Sequence, residues 1–197
     1  MSSRRALFLD RDGVINHDSG YVGRIEDFRF IEGIFNLTRT AVQNGLLAIV
    51  VTNQAGIGRG YYTEDDFLCL TEWMCDRFAA EGAPLTDVFY CPYHPEFGIG
   101  RYRVASYDRK PNPGMLLRAA DRYGLSLADS MMVGDKGSDM DAALNAGVGA
   151  RCYLGLGRTP FDVPAAATHV AKSLAEATSI LFHHRFGGAG ELTDAES

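Results

Sequence analysis

The stretch LLAIVVTN, Leu46 to Asn53, decides the fold. It is apolar through Val51 and rich in β-branched residues, with no alternation of polar and apolar positions. A strand exposed on one face alternates. One without alternation is buried on both faces, as in a parallel sheet covered by helices. The run ends on two polar residues, Thr52 and Asn53. ALFLD (Ala6 to Asp10) has the same form and ends on a carboxylate, followed by the turn signal Arg11-Asp12-Gly13. TDVFYC (Thr86 to Cys91), SMMVGD (Ser130 to Asp135) and GARCYL (Gly149 to Leu154) read as further strands, and THVAKS (Thr168 to Ser173) as a weaker one.

Helical patterns lie between these runs. The first covers about Ile34 to Asn44 and stops at Gly45. The second starts at Thr63, with Asp66 placed as in a capping box, and runs to Ala80. The third follows Pro113 and ends at Tyr123, before Gly124. The fourth spans about Ser138 to Ala146, and the last about Leu174 to His184. Strands alternating with helices predict an α/β fold, a doubly wound and mostly parallel sheet. One domain is expected over residues 1–186, with the small and polar segment 187–197 as a frayed tail. There is no internal repeat.

Composition narrows the function. The 197 residues suffice for one sizeable core. A net charge of −6 lacks the basic excess of a nucleic-acid binder. No apolar run approaches a membrane span. MSSRR leads straight into a strand without a signal-peptide core, so a cytoplasmic protein is expected. Cys69, Cys75, Cys91 and Cys152 are scattered, which suggests neither a disulfide framework nor a cysteine-rich zinc site. Cys69 and Cys75 fall in a helical stretch and read as buried hydrophobes.

Three strand ends carry polar groups: Asp10, Thr52-Asn53 and Asp135. Asp12 stands two residues after Asp10, and Asp139 one helical turn after Asp135. Any one of these aspartates alone is an ordinary turn or cap residue. Together, beside Lys110, they form a carboxylate cluster that needs a cation to stay ionised, and hard oxygen ligands suit Mg²⁺.

FLDRDGVIN, VVTNQAGIGRG, DRKPNPGM and MVGDKGSDMDAA resemble, in order and spacing, the four motifs of the haloacid dehalogenase superfamily of phosphatases. HDSGYV, FRFIEG and LTEWM are similar to its branch of heptose-bisphosphate and histidinol-phosphate phosphatases, and closer to the heptose side. The resemblance implies a Rossmannoid fold with a short flap and no large cap domain. It implies Asp10 as nucleophile and Asp12 as general acid and base, with Thr52 and Lys110 on the transferring phosphoryl group. Mg²⁺ is implied on Asp10, the Asp12 carbonyl and Asp135, with Asp139 supporting the site from behind. Asp18, Ser19, Gly20 and Tyr21 of the flap, with Asn53, Gln54, Arg109 and Lys136, are implied as substrate contacts. His17 reads as a structural or minor binding residue.

NQAGIGRG (Asn53 to Gly60) reads as a flexible loop, and Arg59 in it as either a substrate contact or a plain turn residue. The implied reaction removes the 7-phosphate of a heptose 1,7-bisphosphate, for nucleotide-activated heptose in lipopolysaccharide or capsule. Histidinol phosphate is the alternative substrate, and a non-catalytic phosphosugar-binding module the alternative from another class. A monomer acting on a small phosphorylated sugar is expected, without nucleic acid or membrane.

The same branch carries structural zinc on Cys-x-His and Cys-x-Cys. Here only Cys91 matches. Tyr93, Ser106 and Asp108 hold the other three positions, with His94 displaced by one residue. No zinc is expected, since a structural site wants a closed tetrahedron of sulfur and nitrogen. The aromatics Tyr93, Phe97, Tyr102 and Tyr107 are the expected anchors of that loop.

Overall fold

The computed structural model describes residues 3–155 and 163–182. Six strands form one sheet: β1 (Arg5–Leu9), β2 (Leu46–Asn53), β3 (Asp87–Cys91), β4 (Met131–Gly134), β5 (Ala150–Leu154) and β6 (His169–Ala171). Their order is β3-β2-β1-β4-β5-β6, and every pair is parallel. The helices are α1 (Ile34–Gln43), α2 (Ala55–Gly58), α3 (Glu64–Ala80), α4 (Gly114–Tyr123), α5 (Gly137–Ala146) and α6 (Leu174–Phe182). The expected tail and the end of the last helix pattern lie outside the described residues.

Side-chain alternation along the strands divides the core into two layers. Leu7, Leu9, Val50 and Val133 face α1, α3 and α6, through residues such as Leu37, Met74 and Leu181. Phe8, Ile49, Val51 and Met132 face α4 and α5, through Met115, Leu116 and Met140. Val50 and Val51 are both fully buried. Each such side chain contributes about 1.5–3 kcal/mol of hydrophobic stabilisation, which is why the run at Leu46 is apolar without interruption.

Two expectations need correction. Residues 55–58 are a helical turn rather than a loose loop, with Gly56, Ile57 and Gly58 buried. The turn is close-packed: a Cβ on Gly58 would lie 2.4 Å from the Pro92 carbonyl oxygen. Cys69 is exposed and Cys75 only partly buried. The buried stripe of α3 is Phe67, Leu70, Met74 and Phe78, and its spacing leaves Cys69 off the core face. The capping box at Thr63 is present: Thr63 N–H donates to Asp66 Oδ2 at 2.8 Å, and Asp66 N–H donates to Thr63 Oγ1 at 3.0 Å.

From β1 the chain moves to β2 and β3, then returns to β4 on the other side of β1. That reversal is a topological switch point, where a crevice opens beyond the carboxyl ends of the strands. Between β1 and α1 the chain makes only a short flap, anchored by buried Val22 and Phe28. Among the described residues no helix is long and apolar enough to cross a membrane.

Candidate active site

Asp10 leaves the end of β1, and its amide donates to the Val133 carbonyl of β4 at 3.1 Å. Lys110 reaches it from the loop after β3. Its Nζ lies 2.8 Å from Asp10 Oδ1 and 2.6 Å from Asp139 Oδ1, and it donates to the Val51 carbonyl at 2.8 Å. Two of the ammonium protons are accepted by Asp10 and the Val51 carbonyl, and Asp139 adds an ion pair. The Lys110 main chain is clamped by Asn53, which donates Nδ2 to the Lys110 carbonyl and accepts the Lys110 amide on Oδ1, both at 3.0 Å. Burial works against the Lys110 charge, but Asp10 and Asp139 outweigh it and hold the ammonium above its ordinary pKa. Asp139 is fully buried and also accepts the Lys136 amide at 3.0 Å, at the start of α5.

Asp10, Asp135 and Asp139 each bring a carboxylate oxygen within 4.8 Å of the others. Burial first, and the Asp139 charge next, raise the Asp10 pKa. Burial and the Asp10 charge push Asp135 up to about 7. Asp135 Oδ1 is buried with no hydrogen-bond partner among the described residues. Gly13 leaves the space beside it: its φ is +97°, and a Cβ there would sit 2.3 Å from Asp135 Oδ2. Crowded carboxylates with two oxygens that accept no hydrogen bond, Asp135 Oδ1 and Asp139 Oδ1, fit a hard divalent cation.

Asp12 is held on both oxygens. Oδ1 accepts Arg11 Nε at 3.1 Å, Arg11 Nη2 at 2.9 Å and Asn16 Nδ2 at 3.0 Å. Oδ2 accepts Gln54 Nε2 at 2.9 Å. Arg11 reads in the sequence as part of a turn. It is in fact among the most buried side chains, with Nη2 donating to the Val22 carbonyl at 2.7 Å and the guanidinium over the Phe67 ring. Buried Thr52 accepts Gln54 Nε2 on Oγ1 at 2.8 Å. Tyr62 donates its hydroxyl to Gln54 Oε1 at 2.6 Å, and burial pushes that phenol up to about 12.

A cavity of about 620 Å³ opens in front of these groups. Of the expected residues, Asp12, Asp18, Gly20, Tyr21, Asn53, Gln54, Arg109, Lys110 and Lys136 line it. Ser19 is exposed and off the lining; Asp10 and Thr52, both buried, and the partly buried Asp135 are not among the lining residues either. Lys136 Nζ reaches Asp18 Oδ2 at 3.1 Å and ties α5 to the flap. Tyr21 holds a left-handed backbone at φ +52°, a strained state for a bulky residue.

Arg59, Tyr62 and His94 also line the cavity. The Arg59 guanidinium stands over Phe97 at 4.4 Å and Tyr21 at 5.5 Å from the ring centres. His94 packs on Phe97 with centroids 4.8 Å apart. Desolvation, then Arg109 and Arg59, lower the His94 pKa, so this end of the cavity is positive.

The groups at and beside the positions where the resemblance implies zinc ligands have protein partners. Cys91 is buried at the end of β3, and burial pushes its thiol up. Tyr93 packs on Tyr102. Asp108 Oδ2 accepts Arg118 at 2.5 Å, and Ser106 Oγ accepts the Asp108 amide at 3.2 Å. His94 Nδ1 accepts the amides of Glu96 and Phe97, both at 3.2 Å. Of the expected aromatic anchors, Phe97 and Tyr107 are exposed.

A HAD-hydrolase-like family model matches residues 107–177. The chain is 60% identical over 150 residues to the D-glycero-alpha-D-manno-heptose-1,7-bisphosphate 7-phosphatase of Burkholderia mallei, covering 76% of this chain and 79% of that protein. It is 48% identical over 156 residues to the D-glycero-beta-D-manno-heptose-1,7-bisphosphate 7-phosphatase of Vibrio cholerae, covering 79% and 84%. The crystal structure of D,D-heptose 1,7-bisphosphate phosphatase from B. bronchiseptica, complexed with magnesium and phosphate, superposes with a TM-score of 0.78 at 27% identity, covering 91% of this chain and 99% of that one. Motif order, the parallel sheet and these relatives agree: the chain belongs to the haloacid dehalogenase superfamily of phosphatases, in the family of the D-glycero-D-manno-heptose-1,7-bisphosphate 7-phosphatases.

Proposed function

We propose that the protein removes the 7-phosphate of D-glycero-D-manno-heptose 1,7-bisphosphate, in the cytoplasm, through an aspartyl-phosphate on Asp10. The carrying observation is a cavity with two places for an anion: Lys110 beside Asp10, where the carboxylate cluster would also hold a cation, and the guanidinium groups of Arg59 and Arg109 near His94. A bisphosphate places an anion at each.

Asp10 attacks phosphorus, the bond from phosphorus to the sugar oxygen breaks, and Asp12 gives that oxygen its proton. Asp12 then takes a proton from water as the water oxygen attacks phosphorus; the bond from phosphorus to Asp10 breaks, which frees phosphate and restores the Asp10 carboxylate. Lys110 and the Thr52 hydroxyl meet charge on the phosphoryl oxygens. Asp10, the Asp12 carbonyl and Asp135, with Asp139 behind, would hold Mg²⁺, which would offset the repulsion between nucleophile and phosphate.

The test is a phosphate-release screen. Histidinol phosphate carries an ammonium and an imidazole where the bisphosphate carries its second phosphate. Arg59 and Arg109 repel that end, so kcat/KM for the heptose bisphosphate exceeds that for histidinol phosphate by at least about tenfold. The α-anomer is the better substrate, following the relative at 60% identity. The reverse ranking of the two substrate classes assigns the protein to histidinol phosphate instead.

We also infer that residues 91–113 close without zinc, because the groups at the ligand positions are engaged by Tyr102, Arg118 and backbone amides. Plasma mass spectrometry of protein purified without chelator or an affinity metal is expected to find far less than one zinc per chain. Stoichiometric zinc removes the inference.

A further inference from the structure

Tyr62 belongs to none of the sequence motifs, yet its ring is closely fitted at the cavity wall. A Cβ added to Gly23 of the flap, or to Gly56 of α2, would lie 2.5 Å from a Tyr62 ring atom. Two glycines therefore leave room for this one ring. Its hydroxyl donates to Gln54 Oε1 at 2.6 Å. Gln54 is 1% exposed, and its Nε2 donates to Asp12 Oδ2 at 2.9 Å and Thr52 Oγ1 at 2.8 Å.

The amide has one workable orientation. A carboxylate only accepts, so the NH₂ must face Asp12, and Oε1 must face Tyr62, where a donor is required. Without the Tyr62 hydroxyl, Oε1 is buried and unpaired, and the pull that keeps the NH₂ on Asp12 weakens. The two Asp12 oxygens also differ. Oδ1 takes three protein donors and Oδ2 takes one. Oδ2 keeps acceptor capacity for a substrate or water proton.

We propose that Tyr62 is a positioning residue that acts through Gln54 to aim Asp12 Oδ2 as the oxygen that gives and takes the proton. The inference rests on the phosphatase reading above and on Asp12 as its acid and base. Tyr62 touches no reacting atom in this scheme.

The test compares two substrates. A sugar phosphate releases an alkoxide that needs a proton, whereas 4-nitrophenyl phosphate releases a stable phenolate that needs little help. For Tyr62→Phe, kcat/KM on the heptose bisphosphate is expected to fall about tenfold and on 4-nitrophenyl phosphate by less than about threefold, with the melting temperature little changed. Gln54→Leu lowers the heptose bisphosphate value at least as far. Adding Tyr62→Phe to Gln54→Leu changes it less than about twofold, because both act through one chain of bonds. Equal losses on the two substrates, an unchanged Tyr62→Phe enzyme, or additive losses in the double variant overturn the proposal. A native enzyme inactive on both substrates removes instead the phosphatase reading beneath it.

Discussion

Asp10→Asn is expected to lower phosphate release from the heptose bisphosphate by about 10⁴-fold or more, because the amide oxygen cannot form the aspartyl-phosphate. The same change is expected to raise stability in metal-free buffer. Asp10 is buried beside Asp139, both of which raise its pKa, so its charge is disfavoured by the fold. The amide removes that charge and keeps an acceptor for Lys110, which retains Asp139 at 2.6 Å. A gain of about 1 kcal/mol corresponds to a melting temperature about 2–4 °C higher. Single-turnover phosphate release and calorimetry read the two effects separately. A variant that keeps more than about one hundredth of native turnover refutes Asp10 as nucleophile.

Lys110→Met should weaken both activity and fold. The ammonium is the cation buried among Asp10 and Asp139, and Asp135 adds a third carboxylate nearby. Removing it leaves those charges uncompensated, at a cost of about 3–5 kcal/mol. Loss of a preorganised cation beside the phosphoryl group lowers kcat by about 10³-fold. The two effects part when Mg²⁺ is added. An ion that binds only the folded state stabilises it, and the variant has more uncompensated charge to offer, so its urea midpoint should recover more than the native one does. An unchanged midpoint in metal-free buffer would show that the carboxylates do not depend on Lys110.

The parts of this site that are legible in the sequence are those tied to strand ends. Asp10, Thr52, Asn53 and Asp135 stand where apolar runs stop, and a parallel sheet sets such positions side by side. Arg109 and Lys110 are placed by their motif. Tyr62 has no such marker. It reaches Gln54 because residues 55–58 wind into a turn and the Tyr61 amide donates back to the Gly56 carbonyl at 2.9 Å. A glycine-rich stretch shows no periodicity from which that turn can be read. Arg59 has the same origin, since its place on the wall follows from the same turn. Arg11 is hidden for a different reason: a charged residue reads as exposed, and its burial is made tolerable by the carboxylate of Asp12, the carbonyl of Val22 and the Phe67 ring. Cys69 misleads because α3 has one narrow buried stripe.

The reversal of strand order places β1 and β4 next to each other in the middle of the sheet, so the reacting carboxylates grow from its centre. On the proposed reading the substrate is met elsewhere, by the flap, the α2 turn and residues 91–113. Native-state hydrogen exchange is expected to follow this division. Central strands exchange only when the whole molecule unfolds, while surface loops open on their own. The amides of Leu9 and Val133 belong to the first class, and those of Ser19 and Phe97 to the second. On the proposed reading, chemistry is written into the part of the molecule expected to open slowest and selectivity into the part expected to open fastest. Mutations that change which phosphate ester is accepted can accumulate at the rim without disturbing the reaction beneath it.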